Sequence, residues 1–186
     1  SFGLSSQHLA LACASHNADT ERMRITSDGQ VTKPYQSGFY AVKSSAQTIS
    51  VTQAVIFNTT TENVGSDYNT SNGVYTAPYS GFYIFSYTIL LGPNLTNDID
   101  VDHYLITSNR SYIGGMPGRI RYLTTGATGW GDGYLGFGHT QIAYMDAGDT
   151  AYVNFSQLYY NGSNGTAPVY ANTGNNWTKF SGYFLG

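Results

Sequence analysis

Residues Gly73 to Phe85 read GVYTAPYSGFYIF, and this stretch decides the fold. Tyr75 and Ala77 alternate before Pro78, and Gly81 then opens a run of large residues, Phe82, Tyr83, Ile84 and Phe85. Pro fixes φ and offers no ladder donor, while Gly accepts backbone angles that other residues avoid, so the pattern predicts strand, turn, strand. A run apolar on both faces predicts a strand buried on both sides. The chain closes on Phe180 to Gly186, FSGYFLG, which predicts a second buried strand. A terminus tied into the core places the first and last strands centrally in a closed or two-sheet β fold.

Composition agrees. Charged residues make up only 10% of the 186, against a usual quarter, while 15% are aromatic, including 17 Tyr. Helical proteins carry many Lys, Glu and Arg on their solvent faces; here Ser, Thr, Asn, Gly and Tyr take that place. This is the palette of an extracellular or virion β protein. The net charge of −3 offers no basic footprint for nucleic acid. No segment reaches the ~18 apolar residues of a membrane span. Leu9 to Ala14, LALACA, is too short and lacks a basic leader. The single Cys13 excludes an internal disulfide framework and suits a small buried hydrophobe.

Residues 1–34 are predicted to be a short β-rich stalk or fibre-shaft segment, and 35–186 a globular head. In the first, Met23–Ile25 and Gln30–Thr32 flank Ser27-Asp28-Gly29, a hairpin signal. In the second, strands are expected at 37–43, 50–57, 73–76, 82–91, 98–107, 119–123, 140–144, 150–155 and 179–185, with an Asn/Gly/Ser-rich loop over 161–176. About nine short strands at such spacing imply a sandwich or barrel.

Several residues together carry a family pattern: Phe39; Gly73, Tyr75, Pro78, Gly81, Tyr83 and Phe85; Gly148-Asp149; and Phe180, Ser181, Gly182 and Leu185. In order and spacing they resemble the globular head of complement C-one-q, within the tumour necrosis factor-like superfamily. The resemblance covers about 37–186. It implies an all-β, ten-stranded jelly-roll sandwich that assembles as a homotrimer, with inner-sheet aromatics about the threefold axis. The collagen stalk and intradomain cysteines common in animal members are absent from this sequence. Residues 20–31, TERMRITSDGQV, resemble a short β-rich motif recurrent in bacteriophage tail-fibre and spike proteins.

Three groups could carry function. Asp98, Asp100 and Asp102 share one face of a strand, where carboxylates suit a hard cation such as Ca²⁺. The competing reading is a solvated acidic face, which base rates for charged residues favour. Trp130, Asp132 and Tyr134 fall in the Gly-rich run 126–138, read as a loop; Tyr159, Tyr160, Tyr170 and Trp177 flank the loop 161–176. Aromatics on such scaffolds give large contact area at low entropy cost and make candidate receptor-binding residues. The competing reading packs them inside the jelly roll or trimer interface.

Catalysis finds little support. His8, His16, His103 and His139 show no metal-binding spacing, and there is no G-x-S-x-G. His103 follows Asp102, and successive strand residues face opposite ways, so the two would not act as a triad pair. Glu62 and Asp67 are read as loop residues. The expectation is a non-enzymatic, trimeric receptor-binding knob at the tip of a phage tail fibre or spike, on the virion, attaching to a host cell-surface glycan or protein. The alternatives are a secreted complement-like recognition or signalling ligand and a glycan-cleaving tailspike.

Overall fold

The computed structural model describes residues 2–5, 8–15, 18–50, 52–92, 99–114, 118–120, 134–160, 163–164, 166–171, 174 and 176–186, and none of these is helical. Contacts divide the chain into two units, Ser1–Gln36 and Ser37–Gly186.

The first unit is an antiparallel meander of β1 (Phe2–Ser5), β2 (His8–Ser15), β3 (Ala18–Thr26) and β4 (Val31–Thr32), in that order. The predicted hairpin is present: Arg24 pairs with Thr32 and Ile25 with Val31. Its turn is closed by Thr26 N–H donating to Gln30 O at 2.9 Å and Gly29 N–H to Thr26 O at 3.0 Å. Leu9 to Ala14 lie within β2, as does Cys13.

The second unit holds the remaining strands. These are β5 (Gly38–Val42), β6 (Gln47–Ile49), β7 (Thr59–Val64), β8 (Tyr68–Asn69), β9 (Val74–Thr76), β10 (Gly81–Leu91), β11 (Ile99–Thr107), β12 (Ser111–Ile113), β13 (Gly118–Ile120), β14 (Leu135–Met145), β15 (Thr150–Tyr160), β16 (Ser163–Asn164), β17 (Ala167–Val169) and β18 (Lys179–Phe184). They form a sandwich of two sheets. One has the order β6-β17-β10-β18-β5-β7, with β14 also on β10. The other has the order β12-β11-β15-β9-β8, with β13 on β11 and β16 on β15. The C-terminal strand β18 lies between β10 and β5, so the chain end is indeed central.

The core fills the space between the sheets. From β10, Tyr83, Phe85, Tyr87, Ile89 and Leu91 all point inward and are buried. Phe180 of β18 packs its ring 4.9 Å from Phe39 and 5.6 Å from Phe57. Each such buried side chain contributes about 1.5–3 kcal/mol by removal from water. The backbone of β18 approaches these rings closely at Gly182, where an added Cβ would lie 2.6 Å from both the Phe39 and Phe85 rings. At Gly73 the backbone has φ +76°, and a Cβ would lie 2.6 Å from Val55 O. These contacts explain two glycines of the family pattern as packing and turn requirements.

Four expectations need correction. β10 is buried on one face only: Phe82 is 53% exposed and Ile84 half-buried. Residues 50–57 are not a strand; apart from a single bridge between Ala54 and Asn154, the described part is irregular. Thr52 N–H donates to Phe155 O at 2.7 Å and Val55 N–H to Val153 O at 2.9 Å, and side chains meet other backbone groups of the segment. Gln47 accepts from Ile56 N–H at 2.9 Å and donates to Ala54 O at 3.0 Å, and Lys43 Nζ donates to Ile56 O at 2.7 Å. Burial pushes the Lys43 amine down to about 8. Glu62 lies in β7 and not in a loop. Finally, residues 135–138 belong to β14, Tyr159 and Tyr160 end β15, and β17 interrupts the stretch read as one loop over 161–176. The sequence reading stopped early because glycines in β14 and polar residues in β15 mimic turn composition.

Candidate recognition surfaces

The outer face of the sheet containing β10 changes character along its length. At one end it is apolar. Phe82 pairs with Tyr144, their rings 5.4 Å apart, and Ile84 pairs with Ile142 on one side and Tyr183 on the other. Ile142 is 52% exposed and Tyr144 51%, and Leu185 also faces solvent. Alternation explains this: the inward residues of the same strands form the core, and these outward ones are left exposed. A contiguous apolar patch of this kind marks an interaction surface.

Next along the face comes a hydroxyl belt. Ser86 Oγ and Thr140 Oγ1 are 2.9 Å apart, and Ser181 Oγ donates to Ser86 O at 3.3 Å. Beyond it, Thr88 pairs with Gly138 and Leu90 with Gly136. Both glycines are exposed, so β14 presents no side chains on this part of the face.

At this second end three sequence-predicted residues meet. Tyr134 immediately precedes β14, Tyr170 follows β17, and Trp177 precedes β18. Tyr134 meets Tyr170 edge-on at 5.1 Å, and Tyr170 lies 6.0 Å from Trp177 with planes 27° apart. Trp177 is 47% exposed, yet its backbone is fixed. Thr88 Oγ1 donates to Trp177 O at 2.9 Å, and buried Thr178 accepts from Leu90 N–H through Oγ1 at 3.1 Å. Asn176, just before it, has φ +49°, a left-handed conformation that Asn tolerates better than most residues.

Four other candidates, Tyr159, Tyr160, Asp100 and Asp102, belong to strands of the other sheet. Tyr159 and Tyr160 stand in β15 opposite Asp100 and Ile99 of β11. Asp102 is half-buried beside a register shift between Asp102 and His103. Asp98, Trp130 and Asp132 lie outside the described residues. The acidic triplet is therefore described only at Asp100 and Asp102. Among the described residues no three His, Cys, Asp or Glu side chains form a group that could hold a metal ion.

One polar arrangement escaped the sequence reading. His103 is buried against the core, its ring 4.6 Å from Phe137, and its Nδ1 lies 2.7 Å from Tyr87 Oη. Burial, and secondarily the neighbouring His139, push the His103 imidazole down to about 4. Burial pushes the Tyr87 hydroxyl up, so both groups are neutral at pH 7 and the hydrogen bond between them carries no charge. This geometry ties one sheet to the other across the core. Only the alternation of β11, which turns His103 inward, hinted at it.

Residues 38–110 match the model of the C1q domain. Solved structures extend the likeness over the rest of the head. The globular domain of zebrafish complement 1qA protein aligns at TM-score 0.53 and 12% identity, covering 81% of this chain and 98% of that one. The Eiger TNF structure from S. frugiperda aligns at TM-score 0.53 and 11% identity, covering 83% and 94%. Murine APRIL at pH 8.5 aligns at TM-score 0.51 and 13% identity, covering 81% and 99%. The head has the jelly-roll fold of C1q and TNF proteins. Identities this low speak for the fold alone. A search of curated proteins gave no match.

Within that C1q/TNF-type jelly roll, the motif residues find their roles. Tyr75, Tyr83, Phe85 and Phe180 build the core. Asp149 Oδ2 accepts from Asp146 N–H at 2.8 Å and from Asn109 Nδ2 at 2.6 Å, closing the turn before β15.

Proposed function

We propose that this chain is a homotrimeric, non-enzymatic receptor-binding head. We place it at the tip of a bacteriophage tail fibre or spike, where it attaches to a host cell-surface glycan or protein. The observation that carries the trimer is the apolar end of the β10 sheet face, where Phe82, Ile142, Tyr144, Tyr183 and Leu185 are all exposed on one protomer. Two further copies cover that patch about a threefold axis, in keeping with the fold. The virion placement is supported by the resemblance of residues 20–31 to fibre and spike motifs; that segment includes much of β3 and the β3–β4 turn. Recognition is supported by the half-exposed aromatic row and a low-charge surface. Threefold presentation multiplies weak single-site affinity through avidity.

Light scattering on the purified chain, followed by adsorption to a panel of intact bacterial cells, tests the reading. A trimer that adsorbs to a subset of strains is expected. A stable monomer, or a trimer that adsorbs to none of the cells, contradicts it.

A further inference from the structure

We propose that Tyr134, Tyr170 and Trp177, beside the side-chain-free strip at Gly136 and Gly138, form a binding site for a pyranose ring of a cell-surface glycan. The inference rests on the recognition reading above and names the place and the ligand class.

A large aromatic held half in water gains little from its own fold, and Trp177 is nevertheless fixed there. Its carbonyl is bonded by Thr88 Oγ1, and the following residue is locked to Leu90 N–H and, through Thr178 O, to Lys43 N–H at 3.0 Å. The ring is thus displayed from rigid β structure, as binding demands. Tyr170 is anchored likewise, its N–H donating to Leu90 O at 2.8 Å.

Along β14, the positions facing the same way as Tyr134 are Gly136 and Gly138. A Cβ on Gly136 would meet only Leu90 Cδ1 at 3.6 Å and Ile89 O at 4.0 Å, so the space above is open. At Gly138 a Cβ would lie 2.7 Å from Tyr87 O, so that glycine answers to the close approach of β10, while Gly136 leaves an open, shallow floor beside the rings.

A pyranose turns axial C–H bonds, slightly positive, to one face, and an aromatic ring offers a negative face to them. Its equatorial hydroxyls need neutral donors and acceptors at the rim. Thr88 Oγ1 keeps acceptor capacity after donating to Trp177 O, and Asn176, next to Trp177 in the chain, carries an amide that can both donate and accept. Lys179, two residues beyond Trp177, is the one charged side chain of β18. Site and trimer patch do not compete for the same residues. Phe82 and Leu90 are eight positions apart on β10, roughly 27 Å.

The test is an array of neutral hexose and N-acetylhexosamine oligosaccharides probed with the full chain. Wild type is expected to bind at least one of them. Trp177→Ala should weaken that binding about tenfold or more, as loss of an aromatic anchor does, while Trp177→Phe retains most of it. Gly136→Gln should block the floor and abolish binding with an unchanged melting temperature. In a Trp130→Phe background the remaining Trp177 fluorescence should shift on sugar addition. Three results overturn the site: no sugar bound, binding undiminished in both Trp177→Ala and Gly136→Gln, or a Trp177→Ala protein that loses its trimer and thereby shows an interface between copies. Wild-type adsorption to intact cells, measured in parallel, separates the two ideas. If it persists equally in Trp177→Ala, the recognition reading stands and this site falls.

Discussion

Tyr87 Oη lies 2.7 Å from His103 Nδ1, and this hydrogen bond ties one sheet of the sandwich to the other. Tyr87 comes from β10 and His103 from β11, strands on opposite sides of the core. The imidazole faces the Tyr87 hydroxyl, the Phe137 ring and the His139 ring, whose positive charge would oppose its own.

Acidification should therefore weaken the head. His103 is 6% exposed and its folded pKa is about 4, below the ordinary 6.5. Above pH 6.5 neither state binds the proton, and the full stability is present. Between pH 6.5 and 4 the unfolded chain takes up a proton that the fold refuses, so stability falls by up to about 3 kcal/mol. Urea denaturation at pH 7, 5.5 and 4 measures the loss. His103→Gln should flatten the part of the profile due to this group.

Gly114 closes over the same bond, since a Cβ there would run into His103 Nδ1 and Tyr87 Oη. Gly114 N–H also donates to His103 O at 2.7 Å, which holds the backbone in place. Gly114→Ala is expected to cost about 1–3 kcal/mol by overpacking. Chemical denaturation checks this. An unchanged midpoint would mean that the segment shifts freely.

Phe180 is the central ring of the core, touching Phe39, Phe57, Tyr68, Phe85 and Tyr87. Phe180→Ala should lower stability by about 3–5 kcal/mol through the lost transfer energy and the cavity left behind. Phe180→Leu should cost markedly less. Equilibrium unfolding of the two variants reads the difference.

The parts legible in the sequence were those where one residue type enforces one geometry. Gly73 and Gly182 admit no Cβ, Tyr83 and Phe85 alternate with outward residues, and Asp149 closes a turn through its own carboxylate. These fix the jelly roll. The aromatic row was legible only in part: Tyr134, Tyr170 and Trp177 meet, but they lie 43 residues apart in sequence at the extremes, and pairing β14 and β18 with β10 is what brings them together. Residues 50–57 misled because Val55 and Phe57 are buried like strand residues, while the backbone bonds of that segment go partly to the Gln47 and Lys43 side chains. Phe82 belongs to an apolar run that predicts burial on both faces, yet it is 53% exposed, because the sheet's outer face is not covered there as its inner face is.

The measurement that tests the account most directly is the solution mass of the chain and of its Phe82→Glu/Ile142→Glu variant. Both side chains are exposed in the protomer, so the substitutions should leave each head folded while placing charges in the shared patch. Wild type should run at three times the 20.2 kDa chain mass, and the variant at 20.2 kDa with an unchanged circular dichroism spectrum. A wild-type mass of 20.2 kDa, or a variant that remains trimeric, would contradict the claim that this face is where copies of the chain meet.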